Sequence, residues 1–431
     1  MYDLTIIGAG WAGFNAALRA RELGFKTCLI EASEIGGTCL NKGCIPTKTL
    51  IQSAKVFALT RKSEIFGLEP MTPEINFAKV RERKDSLIRQ LAKGMQFMLK
   101  GIDFINSRAE ILSEEEIKIA DKVIKTRFII IASGSRPAEL PGYRFDGIKI
   151  LSSDDILNLK EIPRSLLIVG GGVIGCEFAS LFSLFGSSVR IIEKMPHLLP
   201  GEDKEIARKI ESLFKKRGIE VNIDTDITGV ALKEYDSVLI CVGRQPNTEG
   251  LGLERLGIIL DKNRIAIDDC FRTNIANIYA AGDCTGKTML AHFASFQGRA
   301  AVERIVNGRA QLGFNASFAA VPNCIFTDPE VASVGMSQEK AQENNIDVDV
   351  HKFDFLGLGM ARILDEAEGF IKIISDKKSN QILGASIIGP KATELISIMA
   401  LSVSAGLKVS QVRSTIFAHP TLSEAIYEAL K

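Results

Sequence analysis

The stretch that decides the fold is YDLTIIGAGWAGFNAALRARELGFKTCLIEAS, residues 2–33. It opens with an apolar, strand-like run, passes through a glycine-rich turn, and then places apolar residues at helical spacing. A second apolar run follows and ends at Glu31. Strand, glycine turn, helix and strand in this order predict a parallel βαβ unit.

The turn fits the pattern G-x-G-x-x-G through Gly8, Gly10 and Gly13. Glycines at these positions allow a tight turn, the approach of a pyrophosphate, and close packing of helix on strand, while the helix N-terminus favours phosphate. Glu31 lies 23 residues after Gly8 (31 − 8), where a carboxylate can accept hydrogen bonds from a ribose diol. We therefore predict a first dinucleotide site here.

The same pattern recurs in SLLIVGGGVIGCEFASLFSLFGSSVRIIEK, residues 165–194. Its glycines are Gly170, Gly172 and Gly175, and Glu193 follows Gly170 by the same 23 residues (193 − 170). A carboxylate at this position suits a free 2′-hydroxyl and repels a 2′-phosphate. This second site is therefore predicted to prefer NAD to NADP.

Two complete units imply two dinucleotides, one a tightly held redox cofactor and the other an exchangeable nicotinamide. From about Phe314 the chain changes character: strand-like runs are followed by a helix, without a glycine fingerprint. The predicted fold class is α/β, with two Rossmann-like dinucleotide-binding domains followed by an α+β domain.

Charge and hydropathy narrow the function classes. The 53 basic and 52 acidic residues give a formal net charge of +1, so a nucleic-acid partner is not expected. No uninterrupted apolar run is long enough to span a bilayer, so no membrane association is expected. The start, MYDLTIIGAG, has no basic region before its glycine turn, and we expect a cytoplasmic protein without a secretory leader.

Two of the eight cysteines, Cys39 and Cys44, lie close together in GGTCLNKGCIPTK, residues 36–48. Residues five apart in a regular helix have Cα atoms about 8.6 Å apart, whereas a disulfide needs about 4.4–6.8 Å. If the pair is bonded, the segment is not a regular helix, and Gly43 and Pro46 are plausible causes of the distortion. So small a loop adds little stability and favours a reducible bridge. Free buried thiols and half of a metal site remain alternatives.

GGTCLNKGCIPTK resembles the redox-active signature of the FAD-dependent disulfide reductases. The resemblance continues through five further stretches: IIIASGSRP (129–137), VLICVGRQPNTEGLGLE (238–254), IYAAGDCTGKTMLAHFA (278–294), VPNCIFTDPEVASVGMS (321–337) and HPTLSEA (419–425). Within the family, several of these stretches favour the members that oxidise dihydrolipoamide with NAD+. The alternative is an NAD(P)H-dependent reductase of another disulfide or a thiol-bound metal, similar to the glutathione or mercuric reductases.

The resemblance also implies a domain division and partners. Residues 1–140 with 263–313 would form the FAD-binding domain, 141–262 the NAD-binding domain, and 314–431 the interface or dimerisation domain. The expected assembly is a homodimer. The expected substrate is dihydrolipoamide or a lipoyl domain, in a 2-oxo-acid dehydrogenase or glycine cleavage complex.

The resemblance assigns roles to the motif residues. Cys44 would lie against the flavin as the charge-transfer thiolate, and Cys39 would exchange disulfides with the substrate. Lys48 would reach flavin N5 and pair with Glu177. A positive charge at this point stabilises a nearby thiolate.

The remaining site residues divide between the two cofactors, and no metal ligands are expected. The FAD site would use Gly8, Gly10, Gly13, Glu31, Gly37, Thr38, Lys48, Ala109, Gly134, Asp283, Met289, Leu290, Ala291 and His292. The NAD site would use Gly170, Gly172, Gly175, Glu177, Glu193 and Gly243.

His419 and Glu424 complete the expected catalytic set. Dithiol exchange requires removal of a proton, because the thiolate is the nucleophile. Histidine suits this task at neutral pH, and a carboxylate on its other ring nitrogen fixes the tautomer. In the family this pair comes from the partner subunit, so the site is expected to be complete only in the homodimer.

Overall fold

The computed structural model of the chain describes residues 1–70, 73–307 and 320–431. The predicted boundary between residues 313 and 314 lies outside the described residues, and the other domain bounds stay predictions. Within the described ranges, no helix is long and apolar enough to cross a membrane.

The first dinucleotide unit begins the chain, as predicted. Its elements are β1 (Tyr2–Ile7), α1 (Trp11–Glu22), β2 (Thr27–Glu31), α2 (Gly37–Asn41), α3 (Cys44–Arg61), α4 (Phe77–Met98), β3 (Asp103–Asn106), β4 (Ala109–Ile111), β5 (Glu116–Ile119), β6 (Lys122–Ile131) and β7 (Ser135–Pro137). Strands β3, β2, β1 and β6 are parallel neighbours in that order, and β4 and β5 add an antiparallel extension to the start of β6. The glycine turn follows β1, a central strand of this sheet.

The second unit repeats this arrangement. Its elements are β8 (Ile150–Leu151), β9 (Ser165–Val169), α5 (Val173–Leu184), β10 (Ser188–Ile192), α6 (Lys204–Lys216), β11 (Glu220–Asn222), β12 (Ser237–Ile240) and β13 (Arg244–Pro246). The next two strands, β14 (Leu260–Asp261) and β15 (Arg264–Ile265), form a separate antiparallel hairpin, and Ile265 packs with Ile7 of the first domain. The parallel sheet has the order β11-β10-β9-β12-β8. Strand β13 pairs with β7, so the end of the second unit is joined to the crossover from the first.

The chain then returns to the first domain through β16 (Ile278–Ala280) and α7 (Ala291–Asn307). Strand β16 pairs in parallel with β6 and completes the first sheet. Helix α7 packs against α1, whose buried face is rich in alanine. The two helices meet so closely that a Cβ on Gly298 would lie 2.0 Å from the carbonyl oxygen of Ala12.

The C-terminal domain is an antiparallel sheet covered by helices. Its elements are β17 (Asn323–Ile325), β18 (Glu330–Gly335), α8 (Gln338–Glu343), β19 (Val348–Asp354), α9 (Gly359–Ile363), β20 (Phe370–Asp376), β21 (Ile382–Gly389), α10 (Ala392–Ser404), α11 (Val409–Arg413) and α12 (Glu424–Ala429). The strand order is β17-β18-β21-β20-β19. Helices α10 and α12 pack on this sheet and bury the third apolar core. The predicted fold class, two Rossmann-like domains and an α+β domain, is therefore correct.

A buried ion pair joins the second and third domains. The Lys372 side chain on β20 is 2% exposed, and its Nζ lies 2.9 Å from Asp203 Oδ2 and 2.8 Å from Glu205 Oε1. Asp203 also caps α6 by accepting a hydrogen bond from the Glu205 amide. Buried charges are tolerated only when they are paired, so this contact fixes how β20 lies on α6.

Candidate active site

The two neighbouring cysteines lie at a break between two helices. Cys39 is within α2, which ends at Asn41, and Cys44 is the first residue of α3. Gly43 lies between them with φ −149° and ψ −113°, and a Cβ there would approach Thr38 O to 3.0 Å. Pro46 lies in the first turn of α3, where its missing N–H costs no helical hydrogen bond. The segment is therefore not one regular helix. A disulfide between Cys39 and Cys44 would require such a break.

Both cysteines are free thiols in the structure, which corresponds to the reduced state of the pair. The Cys39 thiol donates a hydrogen bond to the Cys44 sulfur. This bond lowers the pKa of Cys44 to about 7; burial and Glu177 oppose the shift, and the Lys48 ammonium adds to it. The same hydrogen bond, together with burial, raises the pKa of Cys39. When the pair loses one proton, the negative charge therefore resides on Cys44.

The Lys48 ammonium is held by a buried carboxylate. Its Nζ lies 2.8 Å from both Glu177 oxygens, and the Glu177 residue is 4% exposed. Glu177 Oε1 also accepts a hydrogen bond of 2.9 Å from the Phe326 amide, and Nζ lies 4.8 Å from the centre of the Phe326 ring. Lys48 belongs to α3, Glu177 to α5, and Phe326 follows β17. A single ion pair therefore joins all three parts of the chain beside the thiols.

The first glycine turn has the geometry that a dinucleotide pyrophosphate requires. A Cβ on Gly8 would lie 2.2 Å from Ala132 O, and one on Gly13 would lie 1.8 Å from Gly8 O, so neither position tolerates a side chain. A Cβ on Gly10 would have more room, because among the described residues only Gly37 Cα would lie within 4 Å of it. The Glu31 carboxylate stands over the turn and accepts the Ala9 amide at 2.7 Å. These residues fit the adenosine and pyrophosphate portions of FAD.

A polar chain from three separate segments leads to Asp283. The Ser135 hydroxyl donates to Asp283 Oδ2 at 2.5 Å, and Arg244 Nε donates to the same Ser135 oxygen at 2.8 Å. Arg244 Nη2 donates to Ser135 O at 2.8 Å and approaches Thr38 Oγ1 at 3.4 Å. Asp283 is therefore held in place, and the charge of Arg244 lies next to the helix that carries Cys39.

The other predicted FAD residues are distributed over several elements of the first domain. Gly37 opens α2 with φ +56°, and Ala109 begins β4 and is buried. Gly134 has φ +73° with open space beside it, and its carbonyl accepts the Asn247 amide. Met289 and Leu290 precede α7, which begins at Ala291 and His292. The His292 ring nitrogen contacts Pro322 O at 2.9 Å, and burial lowers its pKa.

The second glycine turn lines a cavity of about 520 Å³. A Cβ on Gly170 would lie 2.5 Å from Cys241 O, and one on Gly175 would lie 1.9 Å from Gly170 O. Space above Gly172 is open. The cavity is lined by Gly170, Gly172, Glu193, Lys194, Cys241 and Gly243, among others. Its walls fit an extended dinucleotide.

The Glu193 carboxylate at this cavity favours a free 2′-hydroxyl, while the cationic Lys194 also lines the cavity wall. The Glu193 carboxylate accepts hydrogen bonds from the amides of Gly171 and Met195 at the end of β10. Arg190 is engaged elsewhere, with Nε 2.7 Å from Asn222 Oδ1 and 3.1 Å from Glu220. Arg190 is therefore not directed towards a 2′-phosphate, which agrees with the predicted preference for NAD.

His419 and Glu424 form a pair far along the chain. His419 Nδ1 lies 2.9 Å from Glu424 Oε1, while Glu424 Oε2 accepts the Thr421 amide at 2.8 Å. The His419 side chain is 79% exposed. None of its described contacts reaches Cys39 or Cys44. Within one chain, the structure brings together the cysteines, Lys48 and Glu177, but not the histidine pair.

Four contributors were not identified from the sequence. Ser135 and Arg244 stand in SGSRP and VGRQPN, stretches that were noted as motifs without assigning these side chains. Trp11 lies inside the first glycine turn itself. Phe326 follows the sheet strand β17, and no local pattern marks its amide as a partner of Glu177.

Family comparisons match this geometry over almost the entire chain. Residues 2–298 match the pyridine nucleotide-disulphide oxidoreductase family, and residues 321–430 match the dimerisation domain of the same family. The dihydrolipoyl dehydrogenase of Chlamydia trachomatis serovar D is 41% identical, with 99% of this chain and 96% of the relative covered. A dihydrolipoyl dehydrogenase of Bacillus subtilis is 39% identical, with coverage of 99% and 97%.

Solved structures are similar over the same length. LpdA from Mycobacterium tuberculosis superposes with a TM-score of 0.90 at 28% identity, covering 99% of this chain and 98% of that one. The Cu(II) complex of the HOCl-induced flavoprotein disulfide reductase RclA from Escherichia coli gives a TM-score of 0.88 at 30% identity, covering 100% and 98%.

Proposed function

Because this chain belongs to the pyridine nucleotide-disulphide oxidoreductase family, we propose that it oxidises dihydrolipoamide to lipoamide and passes the electrons to NAD+. It is an NAD-dependent flavoprotein oxidoreductase with a C-terminal dimerisation domain. The observation that carries the proposal is the Cys39–Cys44 pair, placed across a helix break with the pKa of one thiol lowered to about 7. Such a pair can cycle between disulfide and dithiol near neutral pH.

Two cofactors serve the reaction, FAD and NAD. When bound, FAD would supply the two-electron chemistry that links the cysteine pair to hydride transfer at the nicotinamide. FAD would be held by the Gly8–Gly13 turn, by Glu31, and by Asp283, which Ser135 fixes. NAD would be held in the cavity between Gly170 and Gly243, with Glu193 on its ribose.

The thiol chemistry uses residues from both ends of the chain. His419 removes a proton from the substrate dithiol, and Glu424 stabilises the imidazolium that results. The substrate thiolate attacks Cys39, the Cys39–Cys44 bond breaks, and Cys44 leaves with the electron pair as a thiolate. The second substrate sulfur then attacks the first, which forms lipoamide, and Cys39 leaves and takes up a proton.

Lys48 stabilises the charge that this sequence places on Cys44. Its ammonium lowers the pKa of Cys44, although the hydrogen bond from Cys39 has the larger effect. Glu177 orients Lys48 through two contacts of 2.8 Å. The same carboxylate limits the electrostatic gain, because it acts on Cys44 in the opposite direction.

The proposed assembly is a homodimer in which His419 acts on the cysteine pair of the other copy. The exposure of His419 and its lack of a described contact with Cys39 support this arrangement. The proposed physiological substrate is a lipoyl domain of a 2-oxo-acid dehydrogenase or glycine cleavage complex. We propose that the reaction takes place in the cytoplasm, where cysteine pairs are more often catalytic than structural.

NADH formation from dihydrolipoamide tests the proposal. Cys39→Ser and Cys44→Ser are each expected to abolish it, whereas Cys270→Ser, which alters a cysteine outside the pair, serves as the control. Turnover that survives the loss of either paired cysteine would refute the proposal.

A second candidate function is reduction of another disulfide or of a thiol-bound metal by NADH. One structural neighbour is a Cu(II) complex of a flavoprotein disulfide reductase, and it covers the whole of this chain. A panel of lipoamide, glutathione disulfide, Cu(II) and Hg(II) as acceptors for NADH separates the two functions. Preference for lipoamide by at least about tenfold in kcat/KM supports the first; preference for any of the others supports the second.

A further inference from the structure

Trp11 is the only tryptophan in the chain, and it occupies the dinucleotide turn between Gly10 and Gly13. It is the first residue of α1, and its carbonyl accepts a hydrogen bond from Asn15 Nδ2 at 2.8 Å. The glycine pattern leaves this position free, so the pattern does not explain an indole here. The role of the Trp11 indole must therefore be inferred from the groups that surround it.

The turn that carries Trp11 packs directly against the helix that carries Cys39. The Gly36 amide donates a hydrogen bond of 2.9 Å to Ala9 O, and a Cβ on Gly37 would lie 2.8 Å from Gly10 Cα. Trp11 follows Gly10, and Cys39 lies two residues after Gly37. The first turns of α1 and α2 therefore bring the two side chains next to each other.

The polar atom of the indole is buried and unsatisfied. Trp11 Nε1 has an exposed area below 1 Å² and no hydrogen-bond partner within the described residues. The indole N–H nevertheless faces the Cys39 thiol. The pKa of Cys39 is raised by its hydrogen bond with Cys44 and by burial. The indole and the Lys48 ammonium act in the opposite direction and lower it. A neutral thiol that already donates to Cys44 is a weak acceptor, but a thiolate is a strong one.

We propose that Trp11 is a positioning residue for the dithiol half-reaction, whose indole N–H donates a hydrogen bond to the Cys39 sulfur whenever that sulfur carries negative charge. This state arises when Cys39 leaves the substrate sulfur with its electron pair, and again when it attacks a disulfide in the reverse direction. The inference rests on the thiol exchange proposed above. It adds a donor that serves Cys39 alone, in contrast to Lys48, which acts on both cysteines.

The other charged and titratable groups around Cys39 are few. Cys44 and Lys48 face it from α3, and Glu177 of α5 lies beyond them against Cys44. Arg244 reaches Thr38, the residue before Cys39. Each of these groups remains when the indole is replaced, so a change in Cys39 ionisation can be assigned to Trp11.

The first test compares Trp11→Phe with Phe14→Leu, a substitution in the buried face of the same helix. The measurement is the pH dependence of iodoacetamide alkylation at Cys39, followed by mass spectrometry, in FAD-loaded enzyme that carries Cys44→Ser in every variant, because Cys44 is the largest cause of the raised pKa of Cys39. In Trp11→Phe the midpoint is expected to rise by about one pH unit, equivalent to about tenfold less thiolate below the midpoint. Phe14→Leu is expected to leave it in place. An unchanged midpoint in Trp11→Phe, or an equal rise in both variants, overturns the proposal.

The second test needs no substitution and therefore does not depend on folding of a variant. Because Trp11 is the sole tryptophan, indole-¹⁵N-tryptophan labelling gives one N–H resonance. Its proton is expected to move downfield when Cys39 ionises in the reduced enzyme. A resonance that does not move over the pH range in which Cys39 ionises overturns the proposal.

Failure of this inference is distinguishable from failure of the proposed function. The alkylation midpoint of Cys39 could depend on Trp11 although the enzyme does not oxidise dihydrolipoamide. That result would support the donor role with a different thiol substrate. Full dihydrolipoamide turnover with an unshifted midpoint in Trp11→Phe rejects the donor role and leaves the proposed function intact.

Discussion

The ionisation of Cys44 depends above all on the hydrogen bond from Cys39, and Cys39→Ala removes that bond. The pKa of Cys44 is lowered from an ordinary 9.0 to about 7, which corresponds to roughly 3 kcal/mol of thiolate stabilisation. Without the Cys39 donor, burial and Glu177 raise the pKa of Cys44, while Lys48 and a hydrogen bond from the Cys44 backbone amide lower it, so we expect a value of about 9 or above. At pH 7 the thiolate fraction then falls from about one half to about one hundredth, a loss of about fiftyfold.

The assay is the rate of alkylation of Cys44 as a function of pH, with the peptide quantified by mass spectrometry. Wild-type enzyme is measured after reduction of the pair, while the variants need no reductant. Cys39→Ser is the matched control, because its hydroxyl can still donate to the Cys44 sulfur. Its midpoint is expected to stay closer to 7 than that of Cys39→Ala. If Cys39→Ala keeps a midpoint near 7, or if the two variants rise equally, the hydrogen bond is not the cause.

Three further predictions concern the domain contact, the proton acceptor and the nucleotide. Lys372→Met leaves Asp203 buried without its cation and is expected to lower the free energy of unfolding, measured in urea, by about 3–5 kcal/mol. The control is Lys352→Met at an exposed ion pair, which is expected to lower it by less than about 1 kcal/mol. Equal losses in the two variants would contradict the account. His419→Gln is expected to slow dihydrolipoamide oxidation by about a hundredfold or more and to spare flavin reduction by NADH in stopped flow; parallel losses would argue against a role as base. Glu193→Gln is expected to narrow the preference for NAD over NADP by about tenfold in kcat/KM, and an unchanged ratio would exclude the carboxylate as its source.

The parts of the fold that follow from short-range sequence patterns were predictable. Gly8 and Gly170 each follow a buried strand and precede a helix, and in both cases the structure shows why no side chain fits. The break between Cys39 and Cys44 was predictable on the condition that the pair is bonded, because a regular helix holds residues at that spacing too far apart for a disulfide. In these cases a few neighbouring residues determine the local structure.

The missed contacts depend on segments that are distant in the chain. The Lys372 side chain appears in the sequence as one lysine within an apolar strand, and its partner Asp203 is 169 positions away (372 − 203). Arg244, Ser135 and Asp283 likewise come from three segments that meet only when two domains pack. No periodicity encodes such pairs, since they arise from the relative placement of whole domains.

The pair His419 and Glu424 illustrates a different limit of prediction from the sequence. The hydrogen bond between His419 and Glu424 is local, and the motif HPTLSE was sufficient to pair them. Their proposed action on Cys39 requires two chains, so neither the sequence pattern nor a single folded chain could reveal it. The proposed role of this pair therefore depends on the dimer, which the dimerisation domain supports.

The central claim is that Cys39 and Cys44 form a disulfide that a dithiol opens and NAD+ restores. The most direct measurement is trapping of the two thiols with an alkylating agent under denaturing conditions, before and after each reactant is added. We predict that both are protected in the oxidised enzyme, that both are trapped after dihydrolipoamide, and that protection returns when NAD+ is added. Thiols that are trapped from the outset, or that NAD+ fails to protect again, would contradict the account.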